Sequence, residues 1–169
     1  AIKMAKMVGA TVITTVGSPD KIEKARALGA DHVINYREER FEGVVRKLTK
    51  KKGVDVVYDP VGGQYTESAL RALAWSGRLL IVGFAAGEIP KIPLNLALLK
   101  ERQLLGVYWG DSVRHDPRGH VRNMKQLMAW FAEKKIHPVV SERFPLARAQ
   151  EAMRRLLDRQ VMGKVVILP

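Results

Sequence analysis

Cysteine is absent from the 169 residues, which excludes disulfides and thiolate zinc sites. No apolar run approaches the roughly 20 residues that a membrane span needs. The N-terminus carries no signal-peptide pattern, and the cytoplasm is the expected compartment. No G-x-G-x-x-G occurs anywhere, so the glycine-rich phosphate loop that opens a dinucleotide fold is not in this sequence. No serine sits in a G-x-S-x-G elbow. None of the four tyrosines has a lysine four residues later, and His32, His115, His120 and His137 show no metal-ligand spacing. Adjacent Glu38-Glu39 reads as a helix start, where acids suit the dipole, and not as a catalytic pair. Nothing reads as a general acid or base, and no metal is expected.

Positive charge is what the chain has in excess: 29 Lys and Arg against 17 Asp and Glu, a formal net charge of +12. A nucleic-acid partner, an anionic cofactor or a solvated basic surface would each account for it. The cations are scattered over several predicted helices, with no contiguous face and no recognised module. That favours solvation and argues against nucleic acid. The one dense run, Lys50-Lys51-Lys52, falls in a predicted loop and reads as solvated too.

Strand and helix signals alternate along the first half. Thr11 to Val16 is β-branched throughout and predicts a strand buried on both faces. Gly17-Ser18-Pro19-Asp20 breaks it, with Ser18 or Asp20 able to cap the next helix and Pro19 suited to its first turn. Ile22, Ala25 and Leu28 recur at helical spacing up to Gly29, and Val33-Ile34 begins the next strand. This is one right-handed βαβ unit, whose ligand edge falls at Val16 to Lys21. Arg37 to Lys50 predicts an amphipathic helix with Phe41, Val44, Val45 and Leu48 on one face. Val54 to Tyr58 is a third strand, Gln64 to Ala74 a helix with Leu70 and Leu73 inward, Trp75-Ser76-Gly77 a turn, and Arg78 to Val82 a fourth strand. The alternation is that of a doubly wound parallel sheet. Ala1 to Val8 is helical in period with no N-cap and no strand before it, so the chain is expected to begin partway through an element. In the second half, Leu94 to Lys100 predicts a short helix and Gln103 to Trp109 a strand. Gly110 to Gly119 predicts a polar, mobile connection, and His120 to Lys135 a helix with Met124, Leu127, Met128 and Phe131 on one side. A strand-like Val139-Val140, a helix over Ala147 to Arg159 and a strand over Lys164 to Leu168 complete the chain.

An NAD enzyme carries Asp or Glu at the end of the second strand for the ribose hydroxyls. Here that position reads Val16-Gly17-Ser18, with Lys21 just beyond. A carboxylate would repel a 2′-phosphate, whereas a hydroxyl with an ammonium nearby would accept one. The alternative is that Ser18 only caps a helix and Lys21 faces solvent. The missing carboxylate also argues against an S-adenosylmethionine methyltransferase. Tyr36 ends its strand on the same rim, either against an adenine ribose phosphate or as a half-buried strand-end tyrosine. Asp59-Pro60-Val61-Gly62-Gly63 follows the strand beside the switch point, where glycines permit close approach to a nicotinamide ribose. A plain strand-to-helix turn is the alternative there.

LGADHVINYR, GVDVVYDPVGG, GRLLIVGFAAGEIPKIPLNLALLK and GVYWG together resemble the zinc-free quinone oxidoreductases of the medium-chain dehydrogenase/reductase superfamily, over essentially the whole chain. The resemblance implies a Rossmann-like, doubly wound, mostly parallel α/β sheet that lacks its first strand and its glycine-rich loop. Residues 1–135 would form a partial NADPH-binding domain. Residues 136–169 would return to a groES-like catalytic domain, most of which is not in this chain. Lys21 and Tyr36 are implied to hold the 2′-phosphate of NADPH, with Ser18 beside them and Arg159 closing the pocket. Val61 and Gly62 would line the cofactor cleft, and Gly83 and Phe84 would sit by the nicotinamide. The implied reaction is hydride transfer to quinones or other α,β-unsaturated carbonyls, in a homodimer joined through the Gln103 to Trp109 strand. A non-catalytic nucleotide-binding module or inactive remnant is the alternative that the absent phosphate loop favours; a basic nucleic-acid binder is the third reading.

Overall fold

The computed structural model describes residues 1–158 and 160–169, and Arg159 lies outside the described residues. The chain divides into two compact units, Ala1–His120 and Val121–Pro169. In the first, α1 (Ile2–Met7), β1 (Ile13–Val16), α2 (Asp20–Ala27), β2 (His32–Asn35), α3 (Phe41–Leu48), β3 (Val54–Asp59), α4 (Tyr65–Ala72) and β4 (Leu73–Ile81) alternate as expected. They are followed by α5 (Asn95–Leu98), β5 (Gln103–Gly106) and α6 (Trp109–His115). A long helix, α7 (Pro117–Ala132), runs across the boundary. The second unit continues with β6 (Val140–Pro145), α8 (Ala149–Leu157) and β7 (Lys164–Leu168).

Every ladder is parallel, and there are three separate sheets among the described residues: β1-β2, β3-β4-β5 and β6-β7. Taken as β2-β1 followed by β3-β4-β5, the order is that of a doubly wound sheet, 3-2-1-4-5-6, with strand 1 not represented among the described residues. β1 and β3 therefore each keep one edge without a ladder partner there. This corrects the expectation for Thr11 to Val16. The strand begins at Ile13, Thr15 is exposed and none of its residues is fully buried, because β1 ends a two-stranded sheet.

Two apolar clusters hold the first unit. Ala69, Leu70, Leu73, Leu79 and Leu96 pack between α4, α5 and the three-stranded sheet, with Val54, Val57, Ile81 and Leu104 against them. Each fully buried leucine contributes about 1.5–3 kcal/mol of transfer free energy. Ile34, Val45 and Ala72 form the second cluster, with Ile13 of β1 and Val54 of β3 both packed on it. The helices α3 and α4 thus tie the two sheets together through side chains. Arg102 is buried and donates from its guanidinium to the carbonyls of Leu96, Arg71 and Leu73, closing the ends of α4 and α5.

Other differences have local causes. Neither Ser18 nor Asp20 caps α2: Pro19 is its N-cap, no side chain bonds there, and the Lys21 N–H donates to the Ser18 carbonyl at 3.2 Å. Leu73, inward as expected, opens β4 instead of ending a helix, and the Trp75-Ser76-Gly77 turn is an excursion within that strand with Ser76 at φ +54°. β5 ends at Gly106, so Tyr108 and Trp109 are not ladder residues. The segment expected to be mobile forms α6 and the start of α7. Asp116 accepts the Gly119 N–H at 2.8 Å, and Pro117 opens the helix. That Asp-Pro pair is the helix-start signal within the segment. The apolar side of α7 remains exposed at Met124, Met128 and Phe131; periodicity marks a face that can be buried, not one that has a cover.

Candidate functional site

Parallel pairing brings the C-terminal strand ends into line: Val16 is in register with Asn35, and Asp59 with Ile81, which pairs in turn with Gly106. Two groups of predicted residues gather along this edge.

The first is the turn after β3. The buried Asp59 carboxylate, 8% exposed, accepts the Val61 and Gly62 N–H groups through Oδ1, both at 2.9 Å. Its Oδ2 accepts the Thr66 hydroxyl at 2.8 Å. Gly62 lies at φ +70°, and a Cβ added there would sit 2.6 Å from Phe84 Cδ1. The backbone at this point is in van der Waals contact with the Phe84 ring, which only glycine allows. The loop after β4 is bound to the same turn: Val82 donates to the Asp59 carbonyl at 2.9 Å, Ala85 to Pro60 at 3.1 Å and Ala86 to Val61 at 2.9 Å. Gly63 donates to the Glu88 carbonyl at 3.1 Å. Val61, Gly62, Gly83 and Phe84 are therefore one structural group, with Val61 and Phe84 exposed at its surface.

The second group lies at the ends of β1 and β2. The Tyr36 N–H donates to the Val16 carbonyl at 3.1 Å, and its hydroxyl lies against Gly17, where an added Cβ would be 2.5 Å away. The phenol thus occupies the space in which a side chain at position 17 would stand. Ser18 follows directly, and Lys21 is in the first turn of α2. Arg159, the fourth member expected here, is outside the described residues.

Tyr65 was not singled out in the sequence and joins the two groups. It opens α4 just past the glycine turn, and its ring centroid is 5.0 Å from that of Tyr36, tilted by 58°. The available signal was its position, two residues after Gly63 at a strand-to-helix turn. Asp59 and Thr66 were legible only as part of the turn; their mutual hydrogen bond spans seven residues and needs the helix to be placed first.

Metal chemistry has no donor set among the described residues, where no three His, Asp or Glu side chains come together. No helix there is long and apolar enough to cross a membrane.

A doubly wound parallel sheet with glycine turns and tyrosines gathered at its C-terminal strand ends is the arrangement of a nucleotide-cofactor domain. Comparison with known proteins narrows this. The family described as zinc-binding dehydrogenase matches residues 1–133. A quinone oxidoreductase-like protein 2 homolog from Nematostella vectensis is 35% identical over 164 residues, covering 96% of this chain and 43% of that protein. The crystal structure of Escherichia coli quinone oxidoreductase complexed with NADPH superposes with a TM-score of 0.91 at 29% identity, over 100% of this chain and 52% of that one. A crystal structure of an NAD-dependent alcohol dehydrogenase gives 0.85 at 37% identity, over 100% and 47%. This chain belongs to the medium-chain dehydrogenase/reductase family, in its quinone oxidoreductase-like branch. It spans about half the length of the proteins it matches. The zinc of the family description does not fit the residues present, since cysteine is absent and no other donor cluster forms among the described residues.

Proposed function

We propose that this chain is the cofactor-binding part of an NADPH-dependent reductase of quinones or other α,β-unsaturated carbonyls. The observation that carries the reading is the rim at β1 and β2. Gly17 stands where an NAD enzyme has its ribose-binding carboxylate, and the Tyr36 hydroxyl fills the space that such a carboxylate would need. Ser18, Lys21 and Tyr36 supply two hydroxyls and an ammonium, a donor set that suits a 2′-phosphate. That chemistry favours NADPH over NADH even though one similar structure is of an NAD-dependent enzyme. In this reading Val61 and Gly62 line the cleft, and Gly83 and Phe84 flank the nicotinamide.

The bound cofactor would supply the hydride. The residues of this chain orient: the Asp59 turn fixes the backbone at Val61 and Gly62, and the Phe84 ring packs against Gly62. Residues 1–135 act as the cofactor domain and 136–169 return to a catalytic domain. Subunits join through Gln103 to Trp109, where β5 is an edge strand and Leu105, Val107, Tyr108 and Trp109 are exposed.

The test is NADPH consumption with a para-quinone and with an enone as acceptors. It uses this chain and a fusion carrying the N-terminal half of Escherichia coli quinone oxidoreductase. Turnover by the fusion with NADPH, and much less with NADH, supports the proposal. A folded fusion that oxidises neither cofactor with either acceptor, or uses both equally, refutes it.

A further inference from the structure

The strand ends opposite the cofactor rim carry a second group of charged residues. Helix α3 ends at Leu48 with Thr49 as its C-cap, and the chain then passes through Lys50 and Lys51 at φ +50° and +68° before Gly53 and β3. The Lys51 N–H donates to the Arg46 carbonyl at 2.7 Å and the Lys50 N–H to Lys47 at 3.2 Å. This is a helix-ending turn whose left-handed position usually falls to glycine. Two successive lysines there bear a steric cost that glycine would not. The Thr49 hydroxyl donates to the Val45 carbonyl at 2.8 Å and accepts the Gly53 N–H at 2.9 Å, which fixes the turn.

With Lys100, just before β5, these residues surround a surface cavity of about 470 Å³. It is lined by Arg46, Lys47, Lys50, Lys51 and Lys100, every one a cation. Two features offset part of that charge. Glu42 lies 3.4 Å from Arg46, and the C-terminus of α3 contributes about half a negative charge. The basin keeps a surplus of roughly three and a half positive charges after both. The buried Arg102 guanidinium is held below the ordinary arginine pKa by burial first, and then by the charges of Arg46, one of the basin residues, and Arg71. A helix dipole alone would account for one or two of these lysines, not for five cations around one cavity.

An adjoining cavity of about 530 Å³ is lined by Thr49, Lys52, Gly53, Asp55, Ala74 and Trp75. The Ser76 N–H, next in the chain to Trp75 of this second cavity, donates to the Lys100 carbonyl at 2.9 Å. Lys52 and Asp55 offset each other in this second cavity, so the surplus of positive charge is confined to the basin. The positive charge converges on one concavity instead of running as a stripe. That fits a compact ligand better than a nucleic-acid strand.

We propose that the basin formed by Arg46, Lys47, Lys50, Lys51 and Lys100 is a binding site for a compact polyphosphate, at the opposite edge of the sheet from the Ser18, Lys21 and Tyr36 rim. The test is calorimetric titration of this chain with inorganic tripolyphosphate at low salt. It is repeated on the double variant Lys50→Gly/Lys51→Gly and on Lys125→Glu, which changes the net charge by the same two units. Glycine suits both left-handed positions, so the double variant removes two charges while its thermal midpoint stays at or above that of the parent. The expected result is binding that weakens as salt rises and falls by roughly 10- to 100-fold in the double variant. It is unchanged in Lys125→Glu, and adenosine 2′,5′-bisphosphate does not compete. No binding at low salt overturns the proposal, as does an equal loss in both variants, which would mean diffuse charge only. Tighter binding of a single-stranded oligonucleotide than of tripolyphosphate overturns the assignment to a compact ligand.

Discussion

Replacing Asp59 tests how the turn at the end of β3 is held. Its carboxylate accepts three hydrogen bonds, from the Val61 and Gly62 N–H groups and from the Thr66 hydroxyl. In Asp59→Ala, water can reach the Val61 N–H, because Val61 is exposed. The Gly62 N–H and the Thr66 hydroxyl, in residues that are both buried, lose their acceptor. A buried donor left unsatisfied costs about 1–3 kcal/mol, so two give roughly 2–6 kcal/mol, and we expect about 3–4 kcal/mol for the turn as a whole. Asp59→Asn keeps an oxygen facing both backbone groups and turns an amide toward Thr66, whose hydroxyl can rotate to accept. That variant should lose only about 1 kcal/mol, the charge-assisted share. Urea unfolding followed by circular dichroism measures both. A loss below about 1 kcal/mol in Asp59→Ala, or equal losses in the two variants, refutes the argument that these hydrogen bonds stabilise the turn.

Gly62→Ala puts a methyl at φ +70° and 2.6 Å from Phe84 Cδ1, for a combined cost of about 2–4 kcal/mol; adding Phe84→Ala should recover the steric part and leave the backbone part, as double-mutant unfolding would show. Asp31 receives the Lys6 ammonium at 2.8 Å and the Val12 N–H at 2.7 Å, which hold its carboxyl below the ordinary 3.8, the lysine hydrogen bond being the larger cause. Its contribution to stability is full above the unfolded-state value and is lost as pH falls through the lower folded one, so Asp31→Asn should flatten the acid limb of a stability–pH curve; an unchanged limb counts against the pairing. If β5 is a subunit edge, sedimentation should show concentration-dependent dimers that Leu105→Lys abolishes, and a monomer at all concentrations contradicts that edge.

The alternation of strands and helices was legible because each element carries its own period and punctuation, as at Gly29 and Gly53. The pairing was not, because a strand's partner is set by distant residues: nothing within Thr11 to Val16 says that it ends a two-stranded sheet. The glycine turn after β3 was readable from Gly62 and Gly63, whereas the Phe84 ring against Gly62 belongs to a loop 22 residues on. Chain order alone put Tyr36 at the end of its strand, next to the end of β1. Its contact with Gly17 follows from parallel register, and its contact with Tyr65 required the two sheets to be set side by side by α3 and α4. The helix over Trp109–His115 was missed because glycine and polar residues masked a short turn whose end is fixed by Asp116.

The central claim is that the rim of Ser18, Lys21 and Tyr36 reads a 2′-phosphate. The measurement that tests it most directly is a calorimetric comparison of adenosine 2′,5′-bisphosphate with adenosine 5′-monophosphate, two probes that differ only in that phosphate and do not need a pyrophosphate loop. The account predicts tighter binding of the bisphosphate by about 1.5–3 kcal/mol, or roughly 10- to 150-fold, with the advantage removed in Lys21→Ala. Equal affinity for the two, or an advantage that survives the loss of Lys21, would contradict it.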